Sequence, residues 1–147
     1  MGGPRAVRPR RSGRGPGRSG GRSGVAARRE LGVAALRRAY GTIDVVGHTP
    51  LRAPGLARTV DYRAQPPHGA YTEHLLALHR GRYPSGPNEA ALTDGLARLL
   101  GLRLDGALTL DGHARTIVGI AENPSDLADD FVVVAPSAPP IGRSGRC

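Results

Sequence analysis

Residues 81–95, GRYPSGPNEAALTDG, decide the fold because they join a turn, a short strand and the start of a helix. Pro84 and Pro87, with a glycine between them, predict a turn. The run Glu89–Leu92 then predicts a short strand, and Thr93 is a favourable helix N-cap. This stretch therefore specifies a small unit of mixed secondary structure.

Downstream of this stretch, the sequence continues with a helix and a hairpin. Residues 94–100 carry a leucine stripe that predicts a helix, and Gly101 ends it. Asp105-Gly106 and Asp111-Gly112 are turn dipeptides, and the second one predicts a β-hairpin. In that hairpin, Leu108 and Leu110 are predicted to face Ala114, Thr116, Val118 and Ile120. Residues 131–136, FVVVAP, predict a last strand.

Upstream, three further elements are predicted. Residues 42–46 form a plausible strand, and a proline-containing loop follows over 48–56. Residues 59–64, TVDYRA, alternate apolar and polar side chains as a half-buried strand does. Residues 71–80 place Tyr71, Leu75 and Leu78 on one face of a predicted helix, with Gly81 at its C-terminal cap.

These elements predict an α+β fold, a small mixed sheet of short strands with two short helices, flanked by disordered tails. Residues 1–40 are predicted to be a disordered Arg/Gly-rich tail with a marginal helix near 25–40. The predicted domain covers 41–137, and 138–147 form a disordered C-terminal tail.

Charge separates the tail from the domain. Residues 1–40 contain 11 arginines and one acidic residue, whereas residues 41–147 contain 10 arginines and 11 acidic residues. A nearly neutral domain lacks the basic surface expected of a nucleic-acid-binding fold. The single cysteine, Cys147, cannot form an internal disulfide, and no window has the apolar length of a membrane span. The chain as written is expected to be soluble.

No residue pattern predicts catalysis or metal binding. His74 and His79 are five residues apart, a spacing that points them to different sides of a helix. Ser85 and Ser125 do not lie in a nucleophile motif. The acidic group at 122–130 lacks the spacing of a calcium loop, so a solvated loop with a helical turn is the favoured interpretation. We therefore expect no enzyme, no metal and no cofactor.

Over about 60 residues the order of motifs resembles the extracytoplasmic, MacB-like periplasmic core domain of FtsX-like ABC transporter permeases, of the actinobacterial type. The motifs that carry the resemblance are the leucine-rich residues 75–78, Gly81-Arg82-Tyr83-Pro84, Glu89-Ala90-Ala91-Leu92, Leu100-Gly101-Leu102, Thr116-Ile117-Val118-Gly119-Ile120 and Glu122-Asn123-Pro124. The match extends more loosely to residues 40–136. Membrane helices that would flank such a domain are not recognisable, so the sequence resembles a truncated form.

The resemblance implies a non-catalytic domain on the extracytoplasmic side of the cell membrane. Its implied partners are membrane permease segments and a separate ATPase subunit, and no small-molecule substrate is identified. The residues that the resemblance assigns to the structural motif are Gly81, Arg82, Pro84, Glu89, Thr93, Gly101, Gly106 and Gly119. We expect the glycines to serve backbone geometry, and Arg82 and Glu89 to form structural hydrogen bonds or a salt bridge.

Two alternatives remain open at this point. The arginines of residues 1–40 could bind nucleic acid or another polyanion weakly, which would make the chain an interaction module with a basic tail. A hydrolase that uses His74 is a remote third hypothesis. The combination of Arg, Gly, Ala and Pro without lysine is also typical of a GC-rich bacterium, so codon usage contributes to the composition.

Overall fold

The structure, a computed structural model, is a seven-stranded mixed sheet with two helices, described over residues 21–53, 55–110 and 112–138. The elements are α1 (Gly21–Tyr40), β1 (Gly47–Arg52), β2 (Thr59–Ala64), a 3-10 helix (Glu73–Leu75), β3 (Ala77–Gly81), β4 (Glu89–Leu92), α2 (Asp94–Leu100), β5 (Ala107–Leu110), β6 (His113–Glu122) and β7 (Phe131–Val134). The predicted α+β class, a mixed sheet of short strands with two helices, is confirmed.

Parts of the predicted tails lie outside the described residues. These parts are residues 1–20 of the N-terminal tail and 139–147 of the C-terminal tail, which includes Cys147. Asp111 of the second turn dipeptide also lies outside the described residues. The proposed division of the chain at residues 40 and 137 stays a prediction.

The sheet has the strand order β1-β2-β7-β4-β6-β3, and β5 pairs with β6 beside β3. Strand β7 runs parallel to β2 and antiparallel to β4, and β4 runs parallel to β6. The pairs at the outside, β1 with β2, β3 with β6 and β5 with β6, are all antiparallel. Strand β7, the last strand of the described residues, therefore lies at the centre of the sheet, between β2 and β4.

The central strands are buried on both faces, which explains their continuous apolar sequence. All four residues of β7 are buried, and Ala90, Ala91 and Leu92 of β4 are fully buried. On one face, Val132 and Val134 pack with Leu92 and with α2 in the main core. On the other face, Phe131 and Val133 form a smaller cluster with Ala91, Leu76 and the partly buried Tyr83.

Helix α2 forms as its end residues predict. The Thr93 hydroxyl accepts a hydrogen bond from the Leu96 amide, which satisfies one of the free donors of the first turn. Gly101 adopts a left-handed conformation with φ of 64° and ends the helix. Leu96 is completely buried against the sheet, whereas Leu99 is 57% exposed.

The predicted helix over residues 71–80 is wrong. The structure has only the 3-10 helix Glu73–Leu75 there, followed by β3. The three residues of the predicted stripe, Tyr71, Leu75 and Leu78, are all exposed, and Leu76 is buried instead. Strand β6 continues past β5, and β3 satisfies the backbone groups of this extension, a long-range pairing that local periodicity does not encode.

The first predicted strand is also displaced. Residues 43–46 are not in a strand, and β1 occupies part of the predicted loop over 48–56. Strand β1 includes Pro50, which pairs with Asp61 at the edge of the sheet. An edge strand tolerates proline because half of its amides have no neighbouring strand to bond.

The hairpin over β5 and β6 exists, but its facing residues differ from the prediction. Leu108 pairs with Arg115 and Leu110 pairs with His113. Arg115 and Ile117 are buried, while Ala114 and Thr116 are exposed. A register shift near Val118 then changes the phase, so Ile120 is buried as predicted. The prediction failed because it assumed one uninterrupted alternation along β6.

Two glycines allow the chain to cross closely where β3 ends against β6. Gly81 has φ of 75°, and a Cβ atom there would lie 3.1 Å from the Cα of Gly119 and would overlap the Val118 carbonyl oxygen. A Cβ atom at Gly119 would in turn overlap the Arg82 carbonyl oxygen. The Arg82 amide donates to the Val118 carbonyl at 2.9 Å across this crossing. Both positions therefore require glycine.

We predict that Gly119→Ala destabilises the protein by about 2 kcal/mol or more, because backbone atoms must move to admit the methyl group. The matched control is Gly86→Ala, where the added Cβ would be 3.6 Å from the Glu89 side chain and the cost should stay within about 0.5 kcal/mol. Urea unfolding of the two variants measures both values. Equal stability of the two variants would contradict the close crossing.

Candidate functional site

The most connected polar site is the turn between β3 and β4, where the Glu89 carboxylate accepts several hydrogen bonds. Its Oε2 atom accepts from the Ser85 amide at 2.9 Å, the Gly86 amide at 3.1 Å and Arg82 Nη1 at 2.8 Å. The second Arg82 nitrogen, Nη2, bonds the other carboxylate oxygen, so the pair is bidentate. The carboxylate thus holds a turn whose proline, Pro84, is buried.

These bonds favour the ionised form of Glu89. The Arg82 guanidinium, followed by the Ser85 and Gly86 amides, holds the pKa of Glu89 far below its usual range. Ser85 is part of the same arrangement, since its hydroxyl is 3.2 Å from the carboxylate and 3.3 Å from Arg82. A serine bonded in this way orders the turn.

A second polar site joins the segment after α1 to the segment before β3. Asp44 Oδ2 accepts from the Tyr71 amide at 2.7 Å, the Thr72 amide at 3.0 Å and the Thr72 hydroxyl at 3.2 Å. These hydrogen bonds lower the pKa of Asp44, and the bond from the Tyr71 amide has the largest effect. A side chain at Gly69 would overlap the Asp44 carboxylate, so the loop closes tightly around it.

A third polar site fastens the acidic loop to β2. Arg63 donates to Asp61 at 2.7 Å and to Asp129, and its guanidinium lies 4.1 Å from the centre of the Phe131 ring. Burial opposes ionisation of Asp129, but hydrogen bonds from Asn123 and Arg63 outweigh it and lower its pKa. Ion pairs therefore hold the loop to β2, and the predicted helical turn is wrong, because the described loop has only non-helical turns.

The neighbouring aspartate of this loop, Asp130, is bound as well. It receives a hydrogen bond from the Thr93 hydroxyl at 2.8 Å and pairs with Arg58. Thr93 thus has two functions, since it caps α2 and links that helix to the loop before β7. An open depression of about 360 Å³ lies here, lined by Arg58, Asp61, Asp129 and Asp130 among others. Within it Arg58 pairs with Asp130, while Asp61 and Asp129 are both bound by Arg63.

Sequence reasoning missed one buried charge, Arg115. Its side chain is 1% exposed, and its guanidinium donates to the Tyr62 hydroxyl at 2.9 Å and to the Pro87 carbonyl. Burial raises the pKa of the Tyr62 phenol, although the nearby guanidinium opposes that effect. Arg115 connects β6, β2 and the turn before β4, and only its position opposite Leu108 in the hairpin could have indicated burial.

The structure brings together part of the sequence-predicted motif. Gly81 and Gly119 meet at the crossing, and the predicted pair of Arg82 and Glu89 is bonded directly beside them. Gly101 lies at the end of α2. Gly106 lies in the turn before β5, where the preceding Asp105 takes the positive φ of 64° and the Gly106 amide bonds the Arg103 carbonyl.

The histidines do not converge on a common site. His48 lies 2.7 Å from Asp61, His79 lies 2.7 Å from Glu122, and His68 contacts the edge of the Tyr83 ring. Within residues 21–53, 55–110 and 112–138, no three His, Cys, Asp or Glu side chains are grouped to hold a metal ion. In the same part of the chain, no helix is long and apolar enough to cross a bilayer.

Solved structures with a similar fold include two extracytoplasmic domains of transporters. No protein-family model and no curated protein sequence matches the chain. The fold is similar to that of the extracellular domain of the noncanonic ABC-type transporter YknZ from Gram-positive bacteria, with a TM-score of 0.51 and 15% identity. It is also similar to the periplasmic region of MacB from Actinobacillus actinomycetemcomitans, with a TM-score of 0.50 and 10% identity.

Both similarities cover most of this chain but a smaller part of the other proteins. Each aligns 73% of this chain, with 62% of the YknZ domain and 55% of the MacB region. The resemblance to extracytoplasmic domains of ABC transporters that the sequence predicted is thus supported at the level of fold.

We predict that Glu89→Gln lowers stability above pH 4.5 and that this difference from the wild type shrinks as the pH falls. The pKa of Glu89 is lowered in the folded state from an ordinary value of about 4.5. The ionised carboxylate therefore stabilises the fold fully above that pH, and the contribution is lost as the pH falls towards the folded pKa. Urea midpoints between pH 7 and pH 3 measure the difference.

The control for this prediction is the same substitution in an Arg82→Gln background. Because Arg82 is the largest cause of the lowered pKa, the difference should there depend less on pH. A difference that is independent of pH in both backgrounds would contradict the assigned role of the carboxylate.

For Asp44→Ala, we expect faster hydrogen exchange of the Tyr71 and Thr72 amides, by on the order of tenfold, because both lose their acceptor. The amide of Ala91 in the sheet should keep its protection. Asp126→Ala is the matched control, since Asp126 accepts from the Ala128 amide at 3.0 Å in a different loop. Unchanged exchange at Tyr71 and Thr72 would show that Asp44 does not hold this segment.

Proposed function

We propose that this chain is a non-catalytic extracytoplasmic domain of an FtsX-like ABC transporter permease, of the actinobacterial kind. In this role it links a permease and its separate ATPase to a substrate or partner protein outside the membrane. The observation that carries the proposal is the fold, a seven-stranded mixed sheet aligned over 73% of the chain with two extracytoplasmic domains of ABC transporters.

The polar sites support a mechanical function. Asp44, Glu89 and Arg63 each use their charge to bind other parts of the chain. Such interactions fix loops to the sheet. A domain that transmits displacement benefits from this bracing, because a loop that yields under load does not transmit movement.

The bracing also gives a path for displacement. Helix α1 leads into the segment that contains Asp44, and Asp44 bonds the segment that leads to Leu76 and β3. Leu76 packs on Phe131 and Val133 of the central strand. Movement of α1 is therefore passed through Asp44 to the middle of the sheet. We assign the extracytoplasmic side of the cell membrane as the location on the basis of fold similarity.

The first test reads the DNA that flanks the gene in all frames. We expect apolar stretches of about 20 residues, long enough to span a bilayer, and a gene for an ATPase close by. Flanking DNA that encodes neither would contradict the proposal, because a transporter domain requires both.

The second test is cross-linking in the native cell. A photoreactive residue at Leu99, which is 57% exposed on α2, should form an adduct with a permease in the membrane fraction. The same variant in a strain that lacks the neighbouring permease gene is the matched control and should form no such adduct. The same adducts in both strains would contradict the proposal.

A second candidate function, polyanion binding through residues 1–40, is favoured by one observation. Arg28, Arg29, Arg37 and Arg38 are all exposed on α1. In this case the chain is an interaction module whose basic segment binds nucleic acid. Filter binding to RNA and DNA tests it, because deletion of residues 1–38 should abolish retention and unchanged retention would exclude it.

A further inference from the structure

Helix α1 is exposed over the part whose side chains the structure describes continuously, residues 27–40. Every described side chain from Ala27 to Tyr40 is exposed except Val33, which is half-buried. In folded proteins, most of the stability of a helix comes from packing of one face against the rest of the molecule. Residues 27–40 span about 20 Å of helix, and the surface that they offer to solvent is available to a partner.

One side of α1 contacts the sheet through the Arg29 side chain. The Arg29 guanidinium reaches Gly47 of β1, with Nη2 3.2 Å from the position of a Cβ atom there. Val33, one turn later on the same side, is the half-buried residue. The opposite side of α1 is therefore directed away from the sheet.

That opposite side has an apolar centre between two cations. Arg28, Leu31, Ala35 and Arg38 follow the spacing i, i+3, i+7 and i+10, which places them on a single face that we name the outer face. Leu31 is 72% exposed, and all four residues are exposed. The acidic residue of the helix, Glu30, lies about 100° around the helix from Leu31.

We propose that the outer face of α1 binds the headgroup region of an anionic lipid bilayer, with the helix lying parallel to the membrane surface. Leu31 and Ala35 enter the boundary between headgroups and acyl chains, while Arg28 and Arg38 contact lipid phosphates on either side. Charge favours this partner, because residues 41–147 are close to neutral and the excess of arginine lies in residues 1–40.

The same face fits nucleic acid less well. A phosphate backbone offers nothing to an exposed leucine at the centre of the contact, and the outer face has no aromatic side chain to stack on a base. A bilayer surface accepts both the leucine and the arginines. The inference does not require the proposed transporter function, since it depends on α1 alone.

The first test uses tryptophan as a reporter, because the chain has none of its own. Leu31→Trp in the full chain should shift its emission to shorter wavelength when vesicles of equal phosphatidylglycerol and phosphatidylcholine are added. Leu36→Trp, 140° around the helix, is the matched control and should shift little. Pure phosphatidylcholine vesicles should give no shift with either variant.

The second test compares two variants with identical charge. Arg28→Gln/Arg38→Gln should weaken flotation with the anionic vesicles by about 25-fold, roughly fivefold for each arginine at the surface. Arg29→Gln/Arg37→Gln removes the same charge from the other sides of the helix and should cost only a few-fold. The seven arginines of residues 1–22 are present in both variants, so their contribution cancels.

Three outcomes would overturn the proposal. Equal losses from the two double variants would show attraction by total charge without an oriented helix. A Leu31→Trp emission that stays unshifted on bound vesicles would show that the outer face does not enter the bilayer. Tighter binding to duplex DNA than to the anionic vesicles would identify nucleic acid as the partner. None of these results would bear on the similarity of the sheet to transporter domains.

Discussion

Strand β7 is the constraint on which the rest of the structure depends. Its four residues, Phe131–Val134, are buried on both faces and bond β2 on one side and β4 on the other. Without β7, the pair of β1 and β2 would have no connection to the strands that carry the turn and the hairpin. Because β7 comes last in the described part of the sheet, the two halves of the sheet join only when most of the chain has been placed.

Three polar interactions lie around this central strand. Arg63 covers Phe131, Asp130 binds Thr93 directly before the strand begins, and the segment held by Asp44 packs Leu76 against Phe131 and Val133. Each charge therefore fixes a loop over a strand that must exclude water on both faces. In this arrangement the charged residues serve as internal braces between loops and strands.

The sequence allowed accurate prediction wherever local chemistry specifies the element. The capped helix α2, the strand Glu89–Leu92, the alternation in β2 and the hairpin each have turn or cap residues within a few positions. Prediction failed for β3, for β1 and for the face of β6. In those cases a partner strand far away in the chain, a proline tolerated at an edge, or a register shift decided the outcome. Arg115 was missed because a buried cation in a strand has no local signal.

The register shift in β3 has a consequence for how partners can attach. Strand β3 lies at one end of the strand order, and its pairing with β6 shifts by one residue between Leu78 and Arg80. Strand β1 lies at the other end, and Pro50 interrupts its row of backbone amides. Neither border offers an unbroken ladder of main-chain donors and acceptors. Both interruptions oppose extension of the sheet into a filament by neighbouring copies, which favours recognition through side chains and surface shape.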